Sequence, residues 1–135
     1  MKSLLLTVLL VADVIAVWEV ELKVREQWSA LVQPYESVCE CETHIRPDLA
    51  YGMFINSHYC NKACVKCYLK CLYFALNLMN PATGAVNEAE FVRQFAGVTP
   101  EIAKCCNEEA STTTDPCETA YIMMKCIVKE LAVEK

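Results

Sequence analysis

Glycine is scarce here, with three in 135 residues and no Gly-Gly or Asn-Gly pair to make a tight hairpin turn. That scarcity argues against an all-β fold, whose closely spaced strands need such turns. Positive charge is not concentrated anywhere. Twelve Lys and Arg face 17 Asp and Glu, a net charge of −5 spread along the chain. A nucleic-acid binder needs clustered cations to displace counterions, so nucleic acid is not an expected partner. After the first 16 residues no run of 18 uninterrupted apolar residues occurs, so no membrane span is expected. Catalytic signatures are missing as well: the sequence has no Gly-x-Ser-x-Gly elbow and no phosphate loop, and its two histidines are His44 and His58. No catalytic residue, metal or cofactor is expected.

Cysteine, by contrast, is abundant. Ten occur, and the chain opens on Met1-Lys2-Ser3 followed by an apolar run from Leu4 to Ala12 that is interrupted by Thr7 and ended by Asp13. One basic residue before a run this short reads as a secretion signal, with cleavage expected after Ala16. Residues 1–16 are thus read as a signal peptide and 17–135 as one domain. Cleavage removes one Lys and one Asp and leaves the net charge unchanged. Cysteine then makes up about 8% of the mature chain, the level of a disulfide scaffold in an oxidising compartment.

Helical signals recur along the rest. A segment from about Glu19 to Val32 places Val20, Val24, Trp28, Leu31 and Val32 near one face, and Pro34 closes or kinks it. Pro47-Asp48 opens a second helix through about Ile55. The longest periodic stretch runs from His58 to Met79, and Asn80-Pro81-Ala82-Thr83-Gly84 supplies a turn. Asn87 with Glu90 caps a fourth helix, Thr99-Pro100 opens a fifth through about Glu109, and Asp115-Pro116-Cys117-Glu118 opens a sixth. The expectation is six helices and no strands.

The cysteines Cys60, Cys64, Cys67 and Cys71, spaced 4, 3 and 4 apart, fall on one stripe of the third helix and should each reach a different segment. Four ligands on one straight stripe do not surround a metal ion. Cys64-Val65-Lys66-Cys67 has redox-motif spacing, yet it sits mid-helix with no strand before it.

Read as a series, Cys41, Cys67, Cys71, Cys106, Cys117 and Cys126 leave gaps of 25, 3, 34, 10 and 8 residues. With the flanking words Lys66-Cys67-Tyr68-Leu69-Lys70-Cys71-Leu72, Thr83-Gly84-Ala85-Val86-Asn87 and Asp115-Pro116-Cys117-Glu118-Thr119-Ala120-Tyr121, this pattern resembles the insect pheromone and general odorant-binding protein (PBP/GOBP) family across essentially the whole mature chain. The resemblance implies an all-α, compact six-helix, disulfide-linked fold around an internal apolar cavity. It implies bridges Cys41–Cys71, Cys67–Cys117 and Cys106–Cys126, with the choices of Cys39 for Cys41 and Cys105 for Cys106 left open. The four cysteines beyond the basic pattern, Cys39, Cys60, Cys64 and Cys105, are expected in two further bridges.

The resemblance also turns an ordinary apolar inventory into an expected ligand pocket: Met53, Phe54, Tyr68, Leu72, Phe74, Leu76, Met79, Phe91, Phe95, Tyr121, Met124 and Val128. The hydroxyl of Tyr68 or Tyr121 would orient a ligand oxygen. Burying about 0.8 kcal/mol per methylene, less several kcal/mol for lost freedom, gives an affinity of about 6–9 kcal/mol, or micromolar dissociation. The expected role is a secreted, extracellular, non-enzymatic carrier of odorants or pheromones, as in sensillar lymph. It would act as a monomer or weak homodimer, with a small hydrophobic ligand and a membrane receptor as partners. Two alternatives share the fold: a salivary or reproductive-tract carrier of amines or lipids, and a protein-binding module with no small ligand. His44 and His58, the two groups that ordinarily titrate between pH 5 and 8, raise acid-triggered release as an idea; the plainer reading is exposed histidines near helix ends.

Overall fold

The computed structural model describes residues 18–134. The expected signal peptide, residues 1–16, lies outside the described residues, as do Val17 and Lys135 at the two ends of the expected domain. Among the described residues the chain is built of helices α1 (Leu22–Val32), α2 (Glu36–Thr43), α3 (Pro47–Ala50), α4 (Met53–Asn56), α5 (Ala63–Ala75), α6 (Glu88–Gln94), α7 (Pro100–Ala110) and α8 (Pro116–Leu131). Two-residue strands, β1 (Trp18–Glu19) and β2 (Val133–Glu134), pair antiparallel and bring the two ends of the domain together. No strand was expected from the sequence, and segments of two residues carry no period to read.

The helix starts are written in the sequence. Asn87 Oδ1 accepts the Glu90 amide at 3.2 Å, Thr99 Oγ1 accepts the Ile102 amide at 3.2 Å, and Asp115 Oδ1 accepts the Cys117 amide at 3.0 Å. Each side chain satisfies an amide that the first helical turn leaves without a partner. Other boundaries moved. Pro34 kinks the chain and does not end it: a 3₁₀ turn, Gln33–Tyr35, links α1 directly to α2. Gly52, at φ 71°, splits the expected second helix into α3 and α4. Its Cβ position would lie 2.7 Å from Asn56 Nδ2, so no other residue fits that turn without displacement. The long helix begins at Ala63, not His58, because Ser57 is left-handed at φ 50°, the Lys62 amide turns back to the Cys60 carbonyl at 2.8 Å, and Lys62 is extended. At its far end Asn77 is left-handed at φ 60° and the Leu78 amide reaches the Tyr73 carbonyl at 2.8 Å, which satisfies one of the last helical carbonyls.

Helix α5 is the centre, packed on α8 on one side and on α2 on another, while α7 lies against α6 and α8 and α1 lies over α4. Its buried residues Val65, Tyr68, Leu69, Leu72 and Tyr73 keep the i, i+3, i+4, i+7, i+8 spacing of one helix face. They meet Met123, Met124 and Ile127 of α8, and all belong to one continuous core with Trp28, Val32, Phe91 and Phe95.

Three disulfides tie this framework: Cys39–Cys71, Cys67–Cys117 and Cys106–Cys126, with Cα separations of 5.6, 4.5 and 5.4 Å. The first corrects the pairing that the resemblance implied. Cys39 and Cys41 lie about 200° apart around α2, so one faces α5 and the other faces away. Cys39 is buried and bonded; Cys41 is exposed and free. The two further bridges are absent from this structure. Cys41 and Cys105 are exposed and free, and Cys60 and Cys64 are half-buried and free. Cys60 is not on the α5 stripe at all, since the helix starts three residues after it; its sulfur lies 3.3 Å from His58 Nε2.

Candidate functional site

Most residues expected to touch a ligand are in the core. Met53, Phe54, Tyr68, Leu72, Leu76, Met79, Phe91, Phe95 and Met124 are buried, while Phe74, Tyr121 and Val128 pack at its edge. Phe91 and Phe95 come together with Tyr73 and Trp28: ring centroids are 5.2 Å apart for Tyr73–Phe91, 5.3 Å for Phe91–Phe95 and 5.5 Å for Trp28–Phe95. Phe54 stands edge-on to Tyr59 at 5.7 Å. Neither Tyr59 nor Tyr73 was singled out from the sequence. Tyr73 was readable from the α5 stripe; Tyr59 was not, because its segment was expected to be helix.

The two candidate orienting hydroxyls differ. Tyr121 is committed to the fold, since its hydroxyl reaches the Tyr59 carbonyl at 3.3 Å. Tyr68 has no hydrogen-bond partner, and neither do the hydroxyls of Tyr59, Tyr73 and Ser57, all four of them buried oxygens. A hydroxyl left unmatched in an apolar interior costs about 1–3 kcal/mol, and native domains hold few such groups. Burial pushes the Tyr59, Tyr68 and Tyr73 phenols well above the usual tyrosine range, because the phenolate would lose its hydration; the nearby Glu36 and Glu40 carboxylates add to this at Tyr68. These phenols are therefore neutral donors waiting for acceptors.

Clefts open on the surface of the described residues. One, about 590 Å³, runs between α1 and α4 and is bordered by Glu26, Ser29, Gln33, Glu36, Tyr51 and Ile55. Glu36 there is held above the usual carboxylate range, first by burial and then by the Glu40 charge. A second, about 460 Å³, lies between β1, α1, the turn after α4 and α8, bordered by Trp18, Glu19, Arg25, Ser57 and Val128 among others. A third, about 430 Å³, is lined by Glu88, Ala89, Val92 and Pro100. All three volumes fall in the range of small-molecule sites. Two of them flank α1 and α4, and Val128 borders the second; the other expected contacts are set deeper or to one side.

His44 and His58 are both exposed at helix ends, His44 as the left-handed residue that closes α2. Among the described residues no group of three or more His, Cys, Asp or Glu is arranged to hold a metal ion, and no helix is long and apolar enough to cross a membrane.

The sequence pattern of the PBP/GOBP family matches residues 22–130. Among solved structures the chain is similar to the fatty acid binding protein OBP56a from the oral disk of the blowfly Phormia regina, with a TM-score of 0.56 and 17% identity over 75% of this chain and 89% of that one. At that identity the likeness speaks for the fold alone. No curated protein matches the chain.

Proposed function

The chain belongs to the PBP/GOBP family, a family of small-ligand carriers and not of enzymes, and on that premise we propose that it is a secreted carrier of small hydrophobic molecules, odorants or pheromones among them. The observation that carries the reading is the family match across 109 residues, from the first residue of α1 to the last turn of α8. Three features support it. Disulfides cross-link α2, α5, α7 and α8, which lets that framework hold its shape while a neighbouring face opens. Methionine and aromatic side chains fill the interior, and methionine adapts to guests of varied outline. Buried phenols without acceptors offer polar points in an otherwise apolar volume.

The mechanism is equilibrium binding in the extracellular fluid and release by mass action, with affinity set by apolar burial. Displacement of a neutral naphthylamine fluorophore tests it. The probe is expected to brighten on binding and to be displaced by ten- to sixteen-carbon alcohols, aldehydes or esters at about micromolar concentration. A probe that stays dark at saturating protein would remove the carrier role and leave the protein-binding module as the better reading.

A further inference from the structure

The stretch between α4 and α5 carries a nucleophile and a base that neither the disulfide framework nor equilibrium carriage uses. Cys60 belongs to no bridge, is half-buried, and packs at the edge of the core. Its sulfur lies 3.3 Å from Nε2 of His58. The backbone brings the two together. The chain leaves α4 at Ser57, left-handed at φ 50°, and side chains 58, 59 and 60 are then exposed, buried and half-buried in turn. That alternation is the two-residue period of extended chain, so positions 58 and 60 fall on one side while Tyr59 enters the core. Three hydrogen bonds hold the stretch in this shape. The His58 amide donates to the Met53 carbonyl at 3.0 Å, the Lys62 amide to the Cys60 carbonyl at 2.8 Å, and the Tyr121 hydroxyl to the Tyr59 carbonyl at 3.3 Å.

We propose that Cys60 and His58 form a covalent capture site for small α,β-unsaturated aldehydes and ketones, an activity separate from reversible carriage. The thiolate, not the thiol, is the nucleophile, and a base within hydrogen-bond reach, often loosely so before the substrate arrives, is the arrangement that activates such a group. With its proton on Nδ1, the His58 ring presents Nε2 as the acceptor this role needs. Nε2 takes the thiol proton as the sulfur attacks the β-carbon. One S–C bond forms, the C=C π pair shifts toward the carbonyl as an enolate, and the proton then passes to the α-carbon. The product is a saturated carbonyl compound held on Cys60 as a thioether, and no oxidant, metal or cofactor enters the balance. A polarisable sulfur favours a conjugated β-carbon, and a simple aldehyde would give only a readily reversed hemithioacetal. Half-burial at the edge of the apolar core gives an aliphatic tail a surface to lie on, whereas Cys41 and Cys105 stand exposed.

Peptide mapping after brief exposure of the folded protein to 2-nonenal at pH 7, with borohydride to fix the adducts, tests this. Cys60 is expected to be modified about tenfold faster than Cys41 and Cys105, although both of those are more exposed. Nonanal, with the same chain and no conjugated double bond, should leave Cys60 unmodified. His58→Ala removes an exposed side chain and should slow Cys60 about tenfold while Cys41 and Cys105 keep their rates. Free imidazole in solution should then return part of the lost rate at Cys60, a rescue that a merely structural histidine would not give. Cys60→Ser should remove the fast adduct. Modification in order of exposure, an unchanged Cys60 rate in His58→Ala, or Cys60 found in a disulfide in the purified protein would each overturn the site. Fluorophore displacement reads the carrier role by itself, so the two proposals fail separately.

Discussion

The half of the molecule built on α2, α5, α7 and α8 and the half built on β1, α1, α3 and α4 are held by different forces. Every disulfide belongs to the first: Cys39–Cys71 ties α2 to α5, Cys67–Cys117 ties α5 to α8, and Cys106–Cys126 ties α7 to α8. A Lys66–Glu118 ion pair sits beside the second of these bridges. The second half has no covalent tie. It is held by Trp28, fully buried, whose indole N–H donates to the Ala96 carbonyl at 3.0 Å, by Val20 and Val32 in the core, and by the Arg25 bonds to two backbone carbonyls. The two clefts that flank α1 and α4 both border this half. The difference teaches a division of labour: sulfur fixes a scaffold, while packing and a few hydrogen bonds hold the face where these two clefts open.

The largest expected effect breaks the scaffold. Replacing both Cys67 and Cys117 by Ser removes a bridge across 50 residues, which on the chain-entropy account costs about 4 kcal/mol. Cys39→Ser should cost nearly as much, whereas Cys41→Ser should change stability by less than about 0.5 kcal/mol, as surface substitutions do. Urea unfolding of the three variants checks the register of the first bridge as well as its weight.

Next comes the unbridged half. Trp28→Ala should cost about 3–5 kcal/mol through the cavity and the lost indole bond. Its signature should be local: backbone exchange should accelerate in α1 and α4 well before it does in α5 and α8.

A third measurement uses pH to weigh the interior that both halves share. Tyr59, Tyr68 and Tyr73 are held neutral by burial, so the folded state keeps their protons when the unfolded chain releases them. Stability should therefore be intact below pH about 10 and fall as pH rises beyond it, by about 1.4 kcal/mol per unit for each tyrosine. With free thiols alkylated beforehand, each Tyr→Phe variant should flatten that slope by one share. The smallest effect is at Glu36, on the cleft between α1 and α4. Its carboxyl is raised, so its ionisation works against folding as pH climbs through it, and Glu36→Gln should stabilise the protein at pH 7 by no more than about 0.5 kcal/mol after solvent screening.

Much of the scaffold was legible in the amino acids alone. Asn87, Thr99 and Asp115 marked helix starts because their side chains bond the first free amides, and prolines at 100 and 116 followed where a missing donor does no harm. The α5 stripe showed in its period. The rest was hidden for physical reasons. Cys39 and Cys41 are equivalent on paper, and only the phase of α2, a helix unforeseen behind Pro34, separates them. The α5 start has no capping side chain, as the Lys62 side chain bonds no amide of the first turn, so His58 to Lys62 read as helix and Cys60 was misplaced with it. The site was less readable still. An apolar inventory finds the core, but Arg25 in a helix of low amphipathic contrast, and Ser57 in the turn after α4, give no sign in sequence that they will border one cleft.

The most direct test is hydrogen exchange with and without a saturating apolar ligand. This account predicts slowed exchange in residues 22–32 and 53–59, while residues 63–75 and 116–131 stay as protected as before. Slowing confined to α5 and α8, with α1 and α4 unchanged despite measured binding, would contradict it.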